Sequence, residues 1–189
     1  MCFSVVGNAG TAFPDDGRSG ILVRMPLTFV LATQADAGAL AALHNAVAEH
    51  HTRLHGRGHW SMAATERGAL NSLRHAQVLL VRDGNTIVGT LRLAAKKPWA
   101  IDADYFSTVN MPLYLTSMAV TPALQRQGIG RLLLEEARAM ARAWPADALR
   151  LDAYAGNAGA GAFYARCGFR EVGRVVYKMT PLVYFEQIL

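Results

Sequence analysis

The sequence predicts an α/β fold with one mixed sheet, and two observations support this prediction. First, the patterns along the chain run strand, two helices, three strands, helix, strand, helix and two strands, which is an α/β order. Second, 189 residues with 52% hydrophobic and 17% charged side chains are numerous and apolar enough to bury the core of one domain. The composition excludes an intrinsically disordered chain.

The first part of the domain is predicted to be a strand followed by two helices. Residues 26–31 read Pro-Leu-Thr-Phe-Val-Leu and form the strand. Thr33 begins a sequence typical of a capping box, and apolar residues then recur at helical spacing until Gly56 ends the first helix. The second helix is predicted over residues 62–75.

The rest of the chain begins with a hairpin. Its strands at 78–81 and 86–93 flank an Asp-Gly-Asn turn, and a long connection at 96–112 follows. The later elements are a strand at 113–120, a helix at 128–144, a strand at 149–154, a short helix at 158–166, and strands at 171–177 and 182–188. The apolar face of the long helix is predicted to comprise Ile129, Leu132, Leu133, Ala137 and Met140.

Residues 1–26 show weak periodicity and are predicted to be a weakly structured extension of a domain at 27–189. A more specific hypothesis places the natural start at Met25. We expect no secretion signal. We also expect no membrane-spanning helix, because the longest uncharged run, 105–125, contains two prolines. Cys2 and Cys167 are too few for a disulfide scaffold, which fits a cytoplasmic protein.

The charge balance suggests an anionic partner. The chain has 19 basic and 14 acidic residues and a formal net charge of +5. Nucleic acid, a membrane surface or a phosphorylated small molecule would each suit this excess. Because the arginines are scattered and no nucleic-acid motif is evident, we expect neither nucleic acid nor membrane as a partner.

The most informative motif lies between the strand at 113–120 and the helix after it. It reads Gln-Arg-Gln-Gly-Ile-Gly-Arg over residues 125–131. A glycine-containing loop before a helix presents backbone N–H groups without helical partners, together with the positive end of the helix dipole, and so favours anions. Glycine at 128 and 130 would let a diphosphate approach the backbone, and Arg126 and Arg131 would add charged contacts. A purely structural turn is the alternative.

This segment resembles the Q/R-x-x-G-x-G/A signature of the GNAT superfamily of N-acetyltransferases. A second block, with Asn157, Phe163-Tyr164 and Gly168-Phe169, is similar to another segment of that family at the expected distance downstream. The resemblance extends from about residue 27 to 189. It implies the GNAT fold, with a mixed, mostly antiparallel central sheet of about seven strands flanked by about four helices.

The resemblance also implies an acetyltransferase that uses acetyl-CoA as cosubstrate, acts by direct attack in a ternary complex, and needs no metal. The backbone at 118–120 would pair with the pantetheine arm, the amides of 126–131 would hold the pyrophosphate, and Asn157 would hydrogen-bond the cofactor. A homodimer is left open. The cofactor-binding residues so implied are Met118, Ala119, Val120, Gln125, Arg126, Gln127, Gly128, Ile129, Gly130, Arg131, Asn157 and Tyr164.

The chemistry of amine acetylation asks for a base, an oxyanion donor and an acid. The attacking amine must be neutral, a free amide near Ala119 or Val120 could stabilise the oxyanion, and the phenol of Tyr164 could protonate the leaving thiolate. The strand at 113–120 carries no carboxylate to act as base. The candidates are Tyr114 or Ser117 acting through water, Glu66 on the second helix, and Asp102 or Asp104 in the long connection.

The acceptor pocket is expected near the connection between the first two helices. His59 and Trp60 lie there, and Tyr105, Trp99 and Phe106 from the long connection are candidates for the same pocket, with anchoring of that loop as the alternative. His51, His55 and His59 have the spacing of helical metal ligands, but glycines interrupt the helix, so we expect no metal.

Three functions fit these observations. The leading hypothesis is an N-acetyltransferase for a primary amine of a small molecule. A protein N-terminus or lysine side chain is the rival acceptor. A noncatalytic acetyl-CoA sensor is the alternative of another class, because the strand that would carry the base has no carboxylate.

Overall fold

The computed structural model describes residues 26–189, and within them one seven-stranded sheet carries four α-helices. The extension predicted over 1–26, apart from its last residue, and the hypothesis of a start at Met25 lie outside the described residues. The strands are β1 (Thr28–Leu31), β2 (Gln77–Asp83), β3 (Thr86–Ala94), β4 (Pro112–Val120), β5 (Ala148–Tyr154), β6 (Arg170–Tyr177) and β7 (Thr180–Ile188). The helices are α1 (Ala37–His55), α2 (Glu66–His75), α3 (Ile129–Ala143) and α4 (Gly161–Arg166).

The sheet confirms the predicted mixed, mostly antiparallel α/β fold. Its strand order is β1-β2-β3-β4-β5-β7-β6, and every neighbouring pair is antiparallel except β4 and β5. The parallel pair is short, since its ladder ends where Tyr114 lies opposite Arg150. Beyond this rung, β4 and β5 have no ladder between them in the described chain, and the sheet is open at that point.

Helices cover both faces of the sheet. The larger core lies between the sheet and α3 with α4, and the smaller one lies between the sheet and α1 with α2. The predicted apolar face of α3 needs one correction, because Leu132 is 38% exposed while Leu134 and Ala141 are buried. At about 100° per residue, Leu132 lies on the helix face opposite the buried residues of α3.

The paired end of β4 and β5 is filled by the long connection. Ile101 and Phe106 pack there with Tyr114 and Tyr184 in a separate buried cluster. Beside it, the buried carboxylate of Glu186 accepts a hydrogen bond from Arg150 Nε at 3.0 Å. The connection is therefore anchored to the sheet at the end where the two strands stay together.

No helix between residues 26 and 189 has the length and hydropathy needed to cross a membrane.

Candidate active site

The opening between β4 and β5 is shaped by a bulge in β4. The register between β3 and β4 shifts by one residue after Thr116, and Ser117 has a positive φ of 52°. A bulge reverses the alternation of side chains. As a result Leu115 and Met118, three residues apart, both contact the core on the α3 face. The edge of β4 that faces the opening has backbone groups available for an extended ligand.

The loop between β4 and α3 presents the start of a helix to solvent. Gly128 caps α3 with a φ of 87°, and no described side chain caps the helix. The first amides of α3 therefore have no partner within the helix. Gln125 Nε2 donates to the carbonyl of Val120 at 3.1 Å, and Gln127 Nε2 donates to that of Ala123 at 3.1 Å, so both side chains brace the loop.

The remaining residues of this loop divide between solvent and core. Arg126 and Arg131 are exposed beside the helix start, where a phosphate would bind, and Arg131 Nε also donates to Glu135 Oε1 at 3.0 Å. Ile129 is buried in the core and offers its backbone amide alone. The loop therefore has the composition of an anion site: backbone donors, a helix dipole and two exposed guanidinium groups.

The two glycines of the loop are also required for different structural reasons, beside the room that both are predicted to leave for a diphosphate. A Cβ on Gly128 would meet nothing within 4 Å, but its φ of +87° strains any other residue. A Cβ on Gly130 would lie 3.2 Å from Phe163 Cζ and 3.3 Å from Met118 Cε. Gly130 therefore lets α3 approach α4 and β4.

Tyr164 lies on α4 with its phenol at the opening. The residue is 7% exposed, and its ring packs against Phe163, Phe169 and Phe185. Its hydroxyl donates to Met118 Sδ at 3.7 Å, next to the bulge. Burial raises the pKa of Tyr164, and the nearby negative charge of Asp152 raises it further. The phenol therefore stays protonated at neutral pH and can act as a donor.

A cavity of about 790 Å³, called here the central cavity, lies between the open end of β4 and β5 and the helices α1 and α2. His59 and Trp60 line it, as the sequence predicts, and so do Met118, Ala119 and Tyr164. His44 and His51 of α1 also line it, and so do four side chains that sequence reasoning missed: Arg92, Thr116, Asp152 and Tyr154.

The rim of the central cavity is held by the connection between α1 and α2. Asn45 on α1 exchanges two hydrogen bonds with the backbone of Ala64, at 2.7 and 3.1 Å. Trp60 Nε1 donates to the carbonyl of Gly56 at 3.1 Å, and its ring meets that of Tyr154 edge-on at 5.2 Å. The two aromatic rings bridge from the helical connection to β5 and so narrow the cavity.

Asp152 supplies the carboxylate that the sequence analysis did not place. Burial raises the pKa of its carboxyl above the ordinary range of an aspartate. Burial and the charge of Asp152 also raise the pKa of Tyr154. The sequence of β5 contains a pattern that could have identified Asp152. Its apolar residues contact the core, and Arg150, Asp152 and Tyr154 alternate with them on the other face. A carboxylate in a half-buried strand faces either a partner or a cavity.

Several other candidates lie outside the central cavity. Tyr114 is buried in the cluster that anchors the long connection, and Tyr105 packs on Tyr184 and over Gly173. Glu66 is exposed at the start of α2, close to Gly38 of α1. These three side chains therefore lie outside the lining of the central cavity. Asp102 and Asp104 are exposed, Ser117 lines the cavity, and Asn157 lines a second concavity of about 500 Å³.

The histidines of α1 do not gather around a metal site. No group of three or more potential metal ligands occurs among the described residues. Burial lowers the pKa of His44, and burial with the neighbouring His55 and His50 lowers that of His51. Both imidazoles therefore line the cavity as neutral groups at neutral pH.

Comparisons with known proteins agree with this geometry. Residues 41–169 match the Acetyltransferase (GNAT) family. Among solved structures, the fold is similar to a ribosomal-protein-alanine N-acetyltransferase from Brucella melitensis, with 23% identity over 86% of this chain and 99% of that one and a TM-score of 0.66. A putative acetyltransferase from Salmonella typhimurium with its cofactor acetyl-CoA has 20% identity over 86% and 94%, with a TM-score of 0.61. No curated protein matches the sequence.

Proposed function

The chain belongs to the acetyltransferase (GNAT) family and is an acetyl-CoA-dependent N-acetyltransferase, and we propose that its acceptor is a primary amine of a small molecule bound in the central cavity. The observation that carries the proposal is the partly buried carboxylate of Asp152, which lines the same cavity as the protonated phenol of Tyr164. A candidate base and a candidate acid thus line one cavity at the opening between β4 and β5.

The residues present fit acetyl-CoA. Free amides at the start of α3, with Arg126 and Arg131 beside them, suit the pyrophosphate, and the open edge of β4 at Met118 and Ala119 suits the pantetheine arm. When bound, acetyl-CoA supplies the activated acetyl group. The carbonyl of Val120 already accepts a hydrogen bond from Gln125, so we expect that group to position the loop instead of the cofactor.

Asp152 is our candidate for the general base. An amine enters largely as an ammonium ion at neutral pH and must lose a proton before it attacks. A carboxylate whose pKa is raised by burial accepts that proton more readily than a solvated one. The low polarity that raises this pKa also favours the neutral form of an amine bound beside it.

Tyr164 is our candidate for the acid. Its phenol is held by aromatic neighbours and directed at Met118, at the end of the open edge of β4. A thiolate formed near this point would accept a hydrogen bond from the phenol, which burial keeps protonated until the thiolate forms. Asp152 and Tyr164 then divide the two proton transfers of the reaction.

The size of the central cavity favours a small acceptor over a protein. Its volume of about 790 Å³ is within the usual range for small-molecule sites, and Trp60 with Tyr154 narrows its rim. An acceptor lysine within a protein would need a groove that admits the chain on both sides of it. The partly buried carboxylate of Asp152 also argues against a noncatalytic sensor, because its burial costs stability that cofactor binding alone does not require.

The test is an assay of free thiol release from acetyl-CoA with a panel of small primary amines and of peptides that present an N-terminus or a lysine. We expect at least tenfold higher kcat/KM for the best small amine than for any peptide. Faster turnover of peptides would support a protein acceptor instead. Binding of acetyl-CoA by calorimetry without turnover of any amine would support the sensor.

A further inference from the structure

Arg92 on β3 is a cation that no protein group neutralises in the described chain. It lies opposite Thr116 of β4, on the sheet face that lines the central cavity. Its Nη1 donates to Thr116 Oγ1 at 3.2 Å. Its Nε is buried and has no hydrogen-bond partner, and no carboxylate of residues 26–189 lies within ion-pair distance of the guanidinium.

This arrangement is costly for the free protein. A buried donor without a partner destabilises the folded state, and burial lowers the pKa of Arg92 because its charge loses hydration. Arg150, on the same face of the sheet, contrasts with it, since its guanidinium is buried against the carboxylate of Glu186. Of these two arginines, Arg150 has a carboxylate partner, and Arg92, which lines the cavity, has none.

The position of Arg92 relative to Asp152 suggests where a ligand would pair with the guanidinium of Arg92. Arg92 and Thr116 are direct partners in the sheet, and Asp152 lies two residues beyond the last rung between β4 and β5, as Thr116 does. The three residues therefore occupy successive strands at one level, with Asp152 across the opening. Paired strands are about 4.8 Å apart, and β4 and β5 no longer pair at this level, so the backbones of Arg92 and Asp152 lie more than two strand spacings apart, on opposite sides of the opening.

The other titratable side chains that face this space do not supply a counter-ion. His44 and His51 on α1 are kept neutral by burial, as their lowered pKa values show. Tyr154 and Tyr164 stay protonated. Among the described residues that line the cavity, Asp152 is the one carboxylate and Arg92 the one arginine or lysine.

We infer that Arg92 binds a carboxylate of the acceptor, so that the substrate class is a free amino acid or another small molecule that carries both a primary amine and a carboxylate. The inference rests on the proposed function, and it assigns the two walls of the cavity different tasks. Asp152 receives the ammonium end, and Arg92 and Thr116 receive the carboxylate end. A carboxylate on Arg92 satisfies the buried Nε through a charge-assisted hydrogen bond.

The kinetic test compares each amino acid in a panel with its carboxamide and its decarboxylated amine. We expect the wild-type enzyme to favour the carboxylate form by about 10- to 100-fold in kcat/KM, the range of one hydrogen bond to a charged group. Arg92→Gln should raise KM for the carboxylate form by a similar factor and leave kcat nearly unchanged. The kinetic constants for the two neutral analogues should change less than about twofold.

Three control variants define the effect. Arg142→Gln removes an exposed arginine from the last turn of α3, outside the cavity, and should behave as wild type. Arg92→Lys keeps the charge without the planar fork and should give an intermediate KM. Thr116→Val removes the hydroxyl that we place beside the carboxylate and should raise KM for the carboxylate form, by less than Arg92→Gln does. Thermal melting of each variant with and without acetyl-CoA verifies that the fold is retained.

A binding measurement separates this inference from the proposed function. Calorimetry of amino acids into the protein saturated with CoA should give binding that Arg92→Gln abolishes and Arg142→Gln preserves. Arg92-dependent binding without turnover would contradict the proposed function and support the inference. Equal use of carboxylate and neutral amines, or equal slowing of both by Arg92→Gln, would overturn the inference while the proposed function stood. Selective use of peptides that end in a carboxylate would overturn the assignment to a free small molecule.

Discussion

The loop before α3 and the central cavity are two binding regions that meet at β4 and are built from different parts of the chain. The loop uses backbone amides of consecutive residues, and its only charged side chains, Arg126 and Arg131, are exposed. The cavity uses side chains from several elements, with Arg92, Asp152 and Tyr164 at least half-buried. The loop is formed by contiguous residues and is exposed to solvent. The cavity is assembled from segments that are distant in the sequence, and its side chains are partly buried.

This difference has an energetic consequence. Exposed arginines beside a helix start are hydrated before the ligand binds, so each contributes modestly. Groups in the cavity have already lost hydration, as the shifted pKa values of Asp152 and Tyr164 show, so each is expected to have a larger effect on its own step. Substitutions should therefore separate the two regions, with chemistry sensitive to the cavity and cofactor affinity sensitive to the loop.

The largest expected effect comes from Asp152→Asn. The amide keeps the shape of the side chain and removes the base, so kcat should fall by about 10²- to 10³-fold. The Kd of acetyl-CoA, measured by calorimetry, should stay within about twofold. Glu66→Gln, an exposed carboxylate outside the cavity, is the matched control and should retain wild-type kcat. Comparable losses in both variants would contradict the role of Asp152.

The pH dependence of Asp152→Asn gives a second readout. Because the carboxyl pKa is raised, wild-type kcat/KM should decrease as pH falls through a value above 3.8, and the variant should lack this acidic limb. A raised native pKa means that the folded state binds more protons than the unfolded state, so stability falls as pH rises through that window. Asp152→Asn should therefore raise Tm at neutral pH, with the gain vanishing below the unfolded pKa.

Tyr164→Phe tests the point where the two regions meet. The variant keeps the aromatic packing and loses the phenol, so kcat should fall by about 10- to 100-fold while Tm changes little. Tyr114→Phe removes another buried phenol, outside the central cavity, and should leave kcat unchanged. The measurement is the steady-state kcat of both variants and of the wild type with the best acceptor. An unchanged rate in Tyr164→Phe would remove Tyr164 from the mechanism.

The smallest effect on chemistry is expected from Gly130→Ala in the loop. The new methyl would press on Phe163 and Met118, so stability should fall by about 1–2 kcal/mol and the Kd of acetyl-CoA should rise several-fold, with kcat at saturation nearly unchanged. Gly38→Ala is a close control, because Gly38 is also the second residue of a helix and its Cβ has room. It should not destabilise the protein. A kcat loss in Gly130→Ala at saturating acetyl-CoA would show that the loop controls chemistry.

The same division explains what could be predicted from the sequence. Residues 125–131 form their site through local backbone geometry, so a contiguous motif is enough to find it, and the hydrophobic periods predict the order of strands and helices. Arg92 and Asp152 line one cavity only because β3, β4 and β5 are neighbours, which depends on the register of the sheet. The place of Tyr105 also depends on tertiary packing. An aromatic residue in a long uncharged connection fits an anchor on Tyr184 as well as a pocket wall.

The bulge at Ser117 also limits how this gene can vary in length. Leu113 and Leu115 precede it and Met118 and Val120 follow it, and all four contact the core on the same face. Deleting one codon at this point would restore simple alternation and turn Met118 and Val120 toward α1. In β4, we therefore expect substitutions at position 117 to be tolerated far more readily than insertions or deletions.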